Sequence, residues 1–460
     1  MHESTIATSR RQSTPRASLA ALGLKLQQLD LFGPIRQHVH IPQKTVRYSP
    51  ADKLYDALIT ILAGAHGMVE SNTRVRSDPA VQAAFGRAGC AEQSVIQDTL
   101  DACDAPTIEQ MCAALTTIYR RHSRGFGHDY QRSYQLLDVD MTGLPCGPKA
   151  DGATRGYFAK QRNRRGRQVG RVLATHYGEI VVDELFAGTT QLTLALRPLM
   201  EAAAERLELD TACRARTIVR VDGGGGSLGD VNWLLEQGYQ VLVKEYSGKR
   251  ATKLSKSVTE WVDDPIVVGR QVGWVTAPAP EYVREVRRIA VRCQKKNGTW
   301  ASGVVVTTVD TETALALSDK VSRSTDDDTT ALLAQVYAYD QRGGGIETAN
   351  KDDKQGIGLG KRNKKRFEAQ QMVLWLGTLA HNILVWARQW LQERAPRLQG
   401  FGLKRLVRDV WQINGLVEQD ATGKVIRIVL NQAHYYASRV GEALQAMLAS
   451  THIVVTLGET

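Results

Sequence analysis

The chain has 460 residues, 43% of them hydrophobic, and a formal net charge of +11 with a sequence pI near 9.3. That length holds about two to four packed domains, and the basic excess points to an anionic partner, nucleic acid ahead of membrane. Six scattered cysteines with no C-x-x-C, and no His at zinc-ligand spacing from them, argue against a structural zinc and against a disulfide framework, as suits a reducing cytosol.

The first sixteen residues are polar and basic without an apolar segment, so they read as a disordered or DNA-touching arm and not as a signal peptide. Residues 17 to about 130 show helical periodicity broken by short polar stretches, with Leu54, Leu58 and Leu62 at helical spacing. S-V-I-Q-D-T-L-D-A-C reads as the second helix of a small helical unit, either a helix-turn-helix or, more commonly for such a pattern, plain bundle packing. From Tyr134 the texture turns to β-formers. Strands are predicted at 134–142, over R-V-L-A-T-H-Y, over E-I-V-V-D-E-L-F-A-G after a turn at Tyr177 and Gly178, at 217–222 and over Y-Q-V-L-V-K-E-Y. Helices separate the later strands, one of them carrying Pro198, and the order makes a mixed α/β sheet.

Residues 247 to about 325 break that rhythm as a β-rich insertion, with a hairpin turn at Asn297-Gly298. D-D-D-T-T at 326–330 caps the next helix, and a further helix, interrupted at G-I-G-L-G, runs from Glu347 to about Glu393. Its stretch 372–386 is the most apolar of the chain but contains Thr378, His381 and Asn382 and is short for a membrane span, so it is expected in the core, with His381 and Asn382 satisfying one another or backbone. A last hairpin spans L-V-E-Q-D-A-T-G-K-V-I-R-I-V-L, and a terminal helix lies around 440–448.

Three acids carry the chemistry. Asp138 and Asp140 share one face of a strand, where a buried carboxylate is costly unless paired or metal-bound. Asp140, expected where the strand gives way to a loop, is the functional one and Asp138 secondary. Asp222 ends the strand T-I-V-R-V-D, and open α/β sheets place their chemistry outside such carboxyl ends. Glu347 opens a helix, and Lys354, seven residues on, projects from the same face. Tyr339 and Arg342 stand on the entry to that helix, before Gly343, Gly344 and Gly345. Three carboxylates without Cys or His make an all-oxygen site, suited to Mg²⁺ or Mn²⁺ rather than zinc.

A rival reading comes from G-G-G-G-S-L-G, where Gly224, Gly226 and Gly229 match a dinucleotide fingerprint with Glu245 about 20 residues on. Against it, Asp222 would set a negative charge beside the pyrophosphate, and a Gly loop after a functional strand is a cheaper explanation. Lys160, Arg162, Arg164, Arg165, Arg167 and Arg171 form one acid-free basic run; Lys361, Arg362, Lys364, Lys365 and Arg366 form a second, and Lys249, Arg250, Lys253 and Lys256 a third. One such run is usually a solvated face, whereas three around a carboxylate site suit a phosphate backbone led to it. Trp261, Trp274 and Trp300 pack within the insertion or stack on an unpaired base.

The order L-D-V-D-M-T, V-R-V-D-G, Y-x-x-R before E-x-x-x-x-x-x-K, then K-Q-G-I-G-L and L-A-H-N-I-L-V-W resembles the DDE transposases of bacterial insertion sequences, in the group with a Tyr, Arg, Glu, Lys signature around the third acid. The resemblance covers roughly residues 130–390; Arg342 and Glu347 lie five apart where the group usually has four. It implies an RNase H-like α/β core split by a β-rich insertion. The expected division is 1–130 as a helical DNA-binding domain, 131–246 and 329–395 as the two parts of the core, 247–328 as the insertion, and 396–460 as a region for DNA contact or dimerisation. It implies Asp140, Asp222 and Glu347 as catalytic and metal-binding acids for two Mg²⁺ ions, with Mn²⁺ as substitute. Tyr339, Arg342, Lys354 and the basic runs from Lys160 to Arg167 and Lys361 to Lys365 would hold DNA. The implied protein is cytoplasmic, associated with the bacterial nucleoid, dimeric on its DNA ends and free of membrane. The alternatives are a DNA-binding protein with a dead site and the dinucleotide-binding oxidoreductase.

Overall fold

The computed structural model describes residues 10–44, 47–156, 158, 161, 163–318 and 327–460, so the expectations for Lys160 and Arg162 lie outside the described residues. Contacts divide the chain into two compact units, one of Met1–Ser123, Pro145–Ala153 and Asn350–Thr460, the other of Arg124–Leu144 and Thr154–Ala349. Strands are numbered in chain order.

The first unit opens with β1 (Arg10–Thr14). Helix Pro50–Leu62 shows why its sequence folds: Ser49 and Asp52 form a reciprocal capping box, Pro50 occupies the first turn, and Leu54, Leu58 and Leu62 are fully buried. Helix Phe367–Gln392 is buried along most of its 26 residues, as expected for the apolar stretch. No helix among the described residues is long and apolar enough to cross a membrane. His381 differs from its expectation: its Nδ1 lies 2.7 Å from Asp353 Oδ1, so a carboxylate satisfies it.

The second unit carries β2 (Gln135–Pro145), β3 (Thr154–Arg155), β4 (Arg165–Ala174), β5 (Glu179–Ala187), β6 (Thr217–Val221) and β7 (Gln240–Lys244). It continues with β8 (Val262–Asp263), β9 (Arg270–Trp274), β10 (Arg287–Gln294) and β11 (Trp300–Thr307). These make one ten-stranded sheet in the order β3-β4-β2-β6-β7-β11-β10-β9-β8, with β5 on β4. β2, β6 and β7 are parallel neighbours, and β6 is buried at every residue, as a strand covered on both faces must be. Gly178, at φ +68°, makes the expected turn between β4 and β5. The region expected as a separate β-rich insertion extends this same sheet, because β11 pairs antiparallel with β7.

Chain order returns to the first unit with β12 (Gly415–Gln419), β13 (Val425–Asn431) and β14 (Val454–Gly458), which complete a four-stranded sheet in the order β1-β12-β13-β14. Residues 10–14, expected in a disordered or DNA-touching arm, are an ordered strand, antiparallel to β12.

Candidate active site

The parallel ladder of β2 and β6 delivers the first two acids. Its last registered pair is Val139 with Val221, and the next residues are Asp140 and Asp222. Asp140 is not at the strand's end, as the sequence suggested, since β2 runs on to Pro145; what ends there is the pairing to β6. Asp222 Oδ1 accepts the Gly224 amide at 2.8 Å. A Cβ at Gly226 would stand 1.9 Å from the Lys244 carbonyl oxygen, so this glycine lets the loop pass the end of β7. Glu245 is paired with Arg250 at 3.4 Å. The Gly224 amide and Glu245 are both engaged within the protein, which weighs against a dinucleotide there.

The third acid arrives on the connection between helices Asp327–Asp340 and Ile346–Gln355. Between them Gln341–Gly343 forms a 3₁₀ turn that contains Arg342. Arg342 is 4% exposed, and its guanidinium reaches three partners: Asp140 Oδ1 at 3.1 Å, Glu347 Oε1 at 3.3 Å and the Val139 carbonyl at 3.3 Å. Gly345 permits this close approach, for a Cβ there would lie 2.8 Å from both Asp138 Oδ2 and Thr175 Cγ2. Arg342, expected on DNA phosphate, is spent on the acids themselves.

Charge follows the geometry. Burial pushes the Asp140 carboxyl up to about 6; Arg342 opposes the rise, and the charges of Asp222 and Glu347 add to it. Tyr339 is raised above its ordinary value by burial first, with Arg342 opposing and Asp222, Asp340 and Glu347 adding. Asp140, Asp222 and Glu347 thus feel one another, yet among the described residues no three Asp, Glu, His or Cys side chains gather closely enough to hold a metal ion. The Glu347 side chain is 61% exposed and the Asp140 side chain 17%. Lys354 lies two turns beyond Glu347 on the same helix, within the first unit.

Asp138 has a separate task that the sequence did not disclose. It is fully buried, and its two oxygens take Arg220 Nε at 2.6 Å and Nη2 at 2.8 Å, while Arg220 Nη1 donates to the Ala338 carbonyl at 2.5 Å. Asp138 and Arg220 are register partners on β2 and β6, so the pair ties the ladder to the helix that leads to Arg342. The signal available was Arg220 itself, a cation inside the apolar strand T-I-V-R-V.

The basic runs divide. Arg164 and Arg165 are exposed, whereas Arg167 is buried and Arg171 is buried against Asp183 through two hydrogen bonds of 2.7 Å. In the second run Lys361, Lys365 and Arg366 are exposed. Arg362 is buried against the carbonyls of Ala65 and Ile357, its pKa lowered to about 10 by burial. Lys364 is buried with its Nζ on Gln97. Burial removes Arg167, Arg362 and Lys364 from the residues expected to contact phosphate. Trp261 and Trp300 both stack on the Arg292 guanidinium, at 3.9 and 4.6 Å, and Trp274 on Arg287 at 3.7 Å.

No curated protein matches the chain. Among solved structures it is similar to a piggyBac transposase, determined by cryo-EM in a synaptic complex with hairpin DNA, at a TM-score of 0.44 and 11% identity over 96% of this chain and 84% of that one; so distant a likeness carries no argument about the residues above. A family model described as a transposase DDE domain matches residues 131–383. The match spans more than half of the 460 residues and encloses Asp140, Asp222, Arg342 and Glu347, and the chain therefore belongs to the transposase DDE domain family.

Proposed function

We propose that this chain is the transposase of a bacterial insertion sequence: it binds the terminal inverted repeats, hydrolyses the element ends to free 3′-hydroxyls and joins these to target DNA. The observation that supports this most is the shared electrostatic environment of Asp140, Asp222 and Glu347 around Arg342. The strand order β5-β4-β2-β6-β7, with both strand-borne acids just beyond the β2–β6 ladder, supports an RNase H-like core, and β8 to β11 form its insertion. The helical region 1–130 and the region 396–460 are proposed for DNA contact and dimerisation.

The chemistry of the donor set suits a hard divalent cation, Mg²⁺ with Mn²⁺ as substitute, for Asp140, Asp222 and Glu347 offer only oxygen, and the charges of Asp222 and Glu347 both act on buried Asp140. When bound, two such ions supply positive charge to the attacking and leaving oxygens of phosphoryl transfer. The chain's own residues do the rest. Arg342 fixes Asp140 and Glu347 in orientation through a planar fork. Tyr339, whose hydroxyl is protonated at neutral pH as in any tyrosine, donates a hydrogen bond to a phosphate oxygen. Lys354, Arg164, Arg165, Lys361 and Lys365 carry the phosphate backbone.

The test uses a labelled duplex taken from the inverted repeats flanking the reading frame, incubated with the protein in Mg²⁺. A nick at the element end leaving a 3′-hydroxyl is expected. Binding without a nick in either Mg²⁺ or Mn²⁺ would leave a DNA-binding protein with a dead site.

A further inference from the structure

The turn between β8 and β9 carries three consecutive aliphatic residues on the outside of the protein: Ile266 is half exposed, Val267 39% exposed and Val268 fully exposed. Such a run on a loop asks for a partner, and this one is held firmly. Asp264 Oδ1 accepts the amides of Ile266 and Val267 at 2.8 and 2.9 Å and the Tyr337 hydroxyl at 2.7 Å. Asp264 Oδ2 takes the Arg270 guanidinium at 2.6 Å, and Gly269 closes the turn at φ +75°. Arg270 also pairs with Asp340 at 2.5 Å, the last residue of the helix that leads through Arg342 to Glu347. The neighbouring turn, between β10 and β11, is joined to this one by the Gln294 amide donating to the Gly269 carbonyl at 2.8 Å, and it presents exposed Lys295 and Lys296.

Resting on the reading of the chain as a DNA-cutting enzyme, we propose that Ile266, Val267 and Val268 form a wedge that enters between base pairs of duplex DNA, with Lys295 and Lys296 on the flanking phosphates. Aliphatic side chains unstack a base step when cations hold the backbone beside it, and a duplex that is already unpaired resists least. The chain Asp264–Arg270–Asp340 sets the wedge relative to the helix connection that bears Arg342 and Glu347.

The experiment is an anisotropy titration with two labelled duplexes of one sequence, one fully paired and one with a short mismatch bubble. Wild type is expected to bind the bubble roughly ten-fold tighter. The triple variant I266S/V267S/V268S, altered only at exposed side chains, is expected to keep the wild-type unfolding midpoint, bind the paired duplex within roughly two-fold of wild type, and lose the preference. Equal wild-type affinity for both duplexes, or a preference that survives the triple substitution, overturns the wedge. Failure of wild type to bind either duplex overturns the DNA-cutting reading, and the wedge with it. A wild-type oligomer that the triple substitution dissociates reassigns the tip to a second copy of this chain and overturns the wedge as well.

Discussion

Asp138 and Asp140 stand two residues apart on one strand, and two arginines give them different work. Asp138 is locked to Arg220 in a fully buried bidentate pair, while Asp140 shares Arg342 with Glu347. Removing one partner of a buried pair leaves the other charge uncompensated, so Asp138→Asn should lower unfolding free energy by about 3–5 kcal/mol, measured by denaturant titration; a change under about 1 kcal/mol would mean Arg220 has another partner. Asp140 makes a pH prediction with a definite sign. Its native pKa of about 6 exceeds the ordinary 3.8, so between those values the native protein binds more protons than the unfolded chain, and stability falls as pH rises through that window. Asp140→Asn cannot ionise. In metal-free buffer its stability relative to wild type should therefore improve by up to roughly 3 kcal/mol between pH 4 and pH 7, read from paired denaturant midpoints at each pH. A constant difference would contradict the assignment.

At the scale of elements, the first basic run is half structure and half surface. Arg164→Ala and Arg165→Ala should each reduce the salt-dependence slope of duplex binding by roughly 0.9 if each meets a phosphate. Arg171→Ala should instead destabilise the fold by about 3–5 kcal/mol, since it takes a two-bond cation partner from buried Asp183. An Arg171→Ala protein that unfolds like wild type but binds DNA with a flatter salt slope would reverse that division. Local signals were legible in the sequence: the glycine turns at Gly178 and Gly298, the helix over Leu54, Leu58 and Leu62, and the strands that end just before Asp222 and Glu245 all depend on neighbours in sequence. What was not legible depends on distant partners. β1 pairs with a strand from the far end of the chain, β11 joins the sheet through β7, and Arg167, Arg362 and Lys364 are cations whose burial no charge count reveals. The three acids were legible as residue types. The use of Arg342 as a tether between Asp140 and Glu347 was not, because it joins residues far apart in the chain.

For the whole molecule, the proposed function separates holding DNA from cutting it. Under that proposal, exposed arginines and lysines supply affinity and the acids around Arg342 supply chemistry. Glu347 is where the two come apart most cleanly. Its side chain is largely exposed and its contact to Arg342 is 3.3 Å, so losing that pairing should change stability little. Glu347→Gln keeps the shape of the side chain and removes the charge a divalent cation requires. The deciding measurement is a gel assay of end cleavage by wild type and Glu347→Gln, on one labelled element end, in Mg²⁺ and in Mn²⁺, with binding followed in parallel. Unchanged unfolding, DNA binding near the wild-type level, and no nick or strand transfer in either metal are expected of the variant. A variant that nicks the end at a rate near wild type would show that Glu347 is not the third acid, and would contradict the three-carboxylate site.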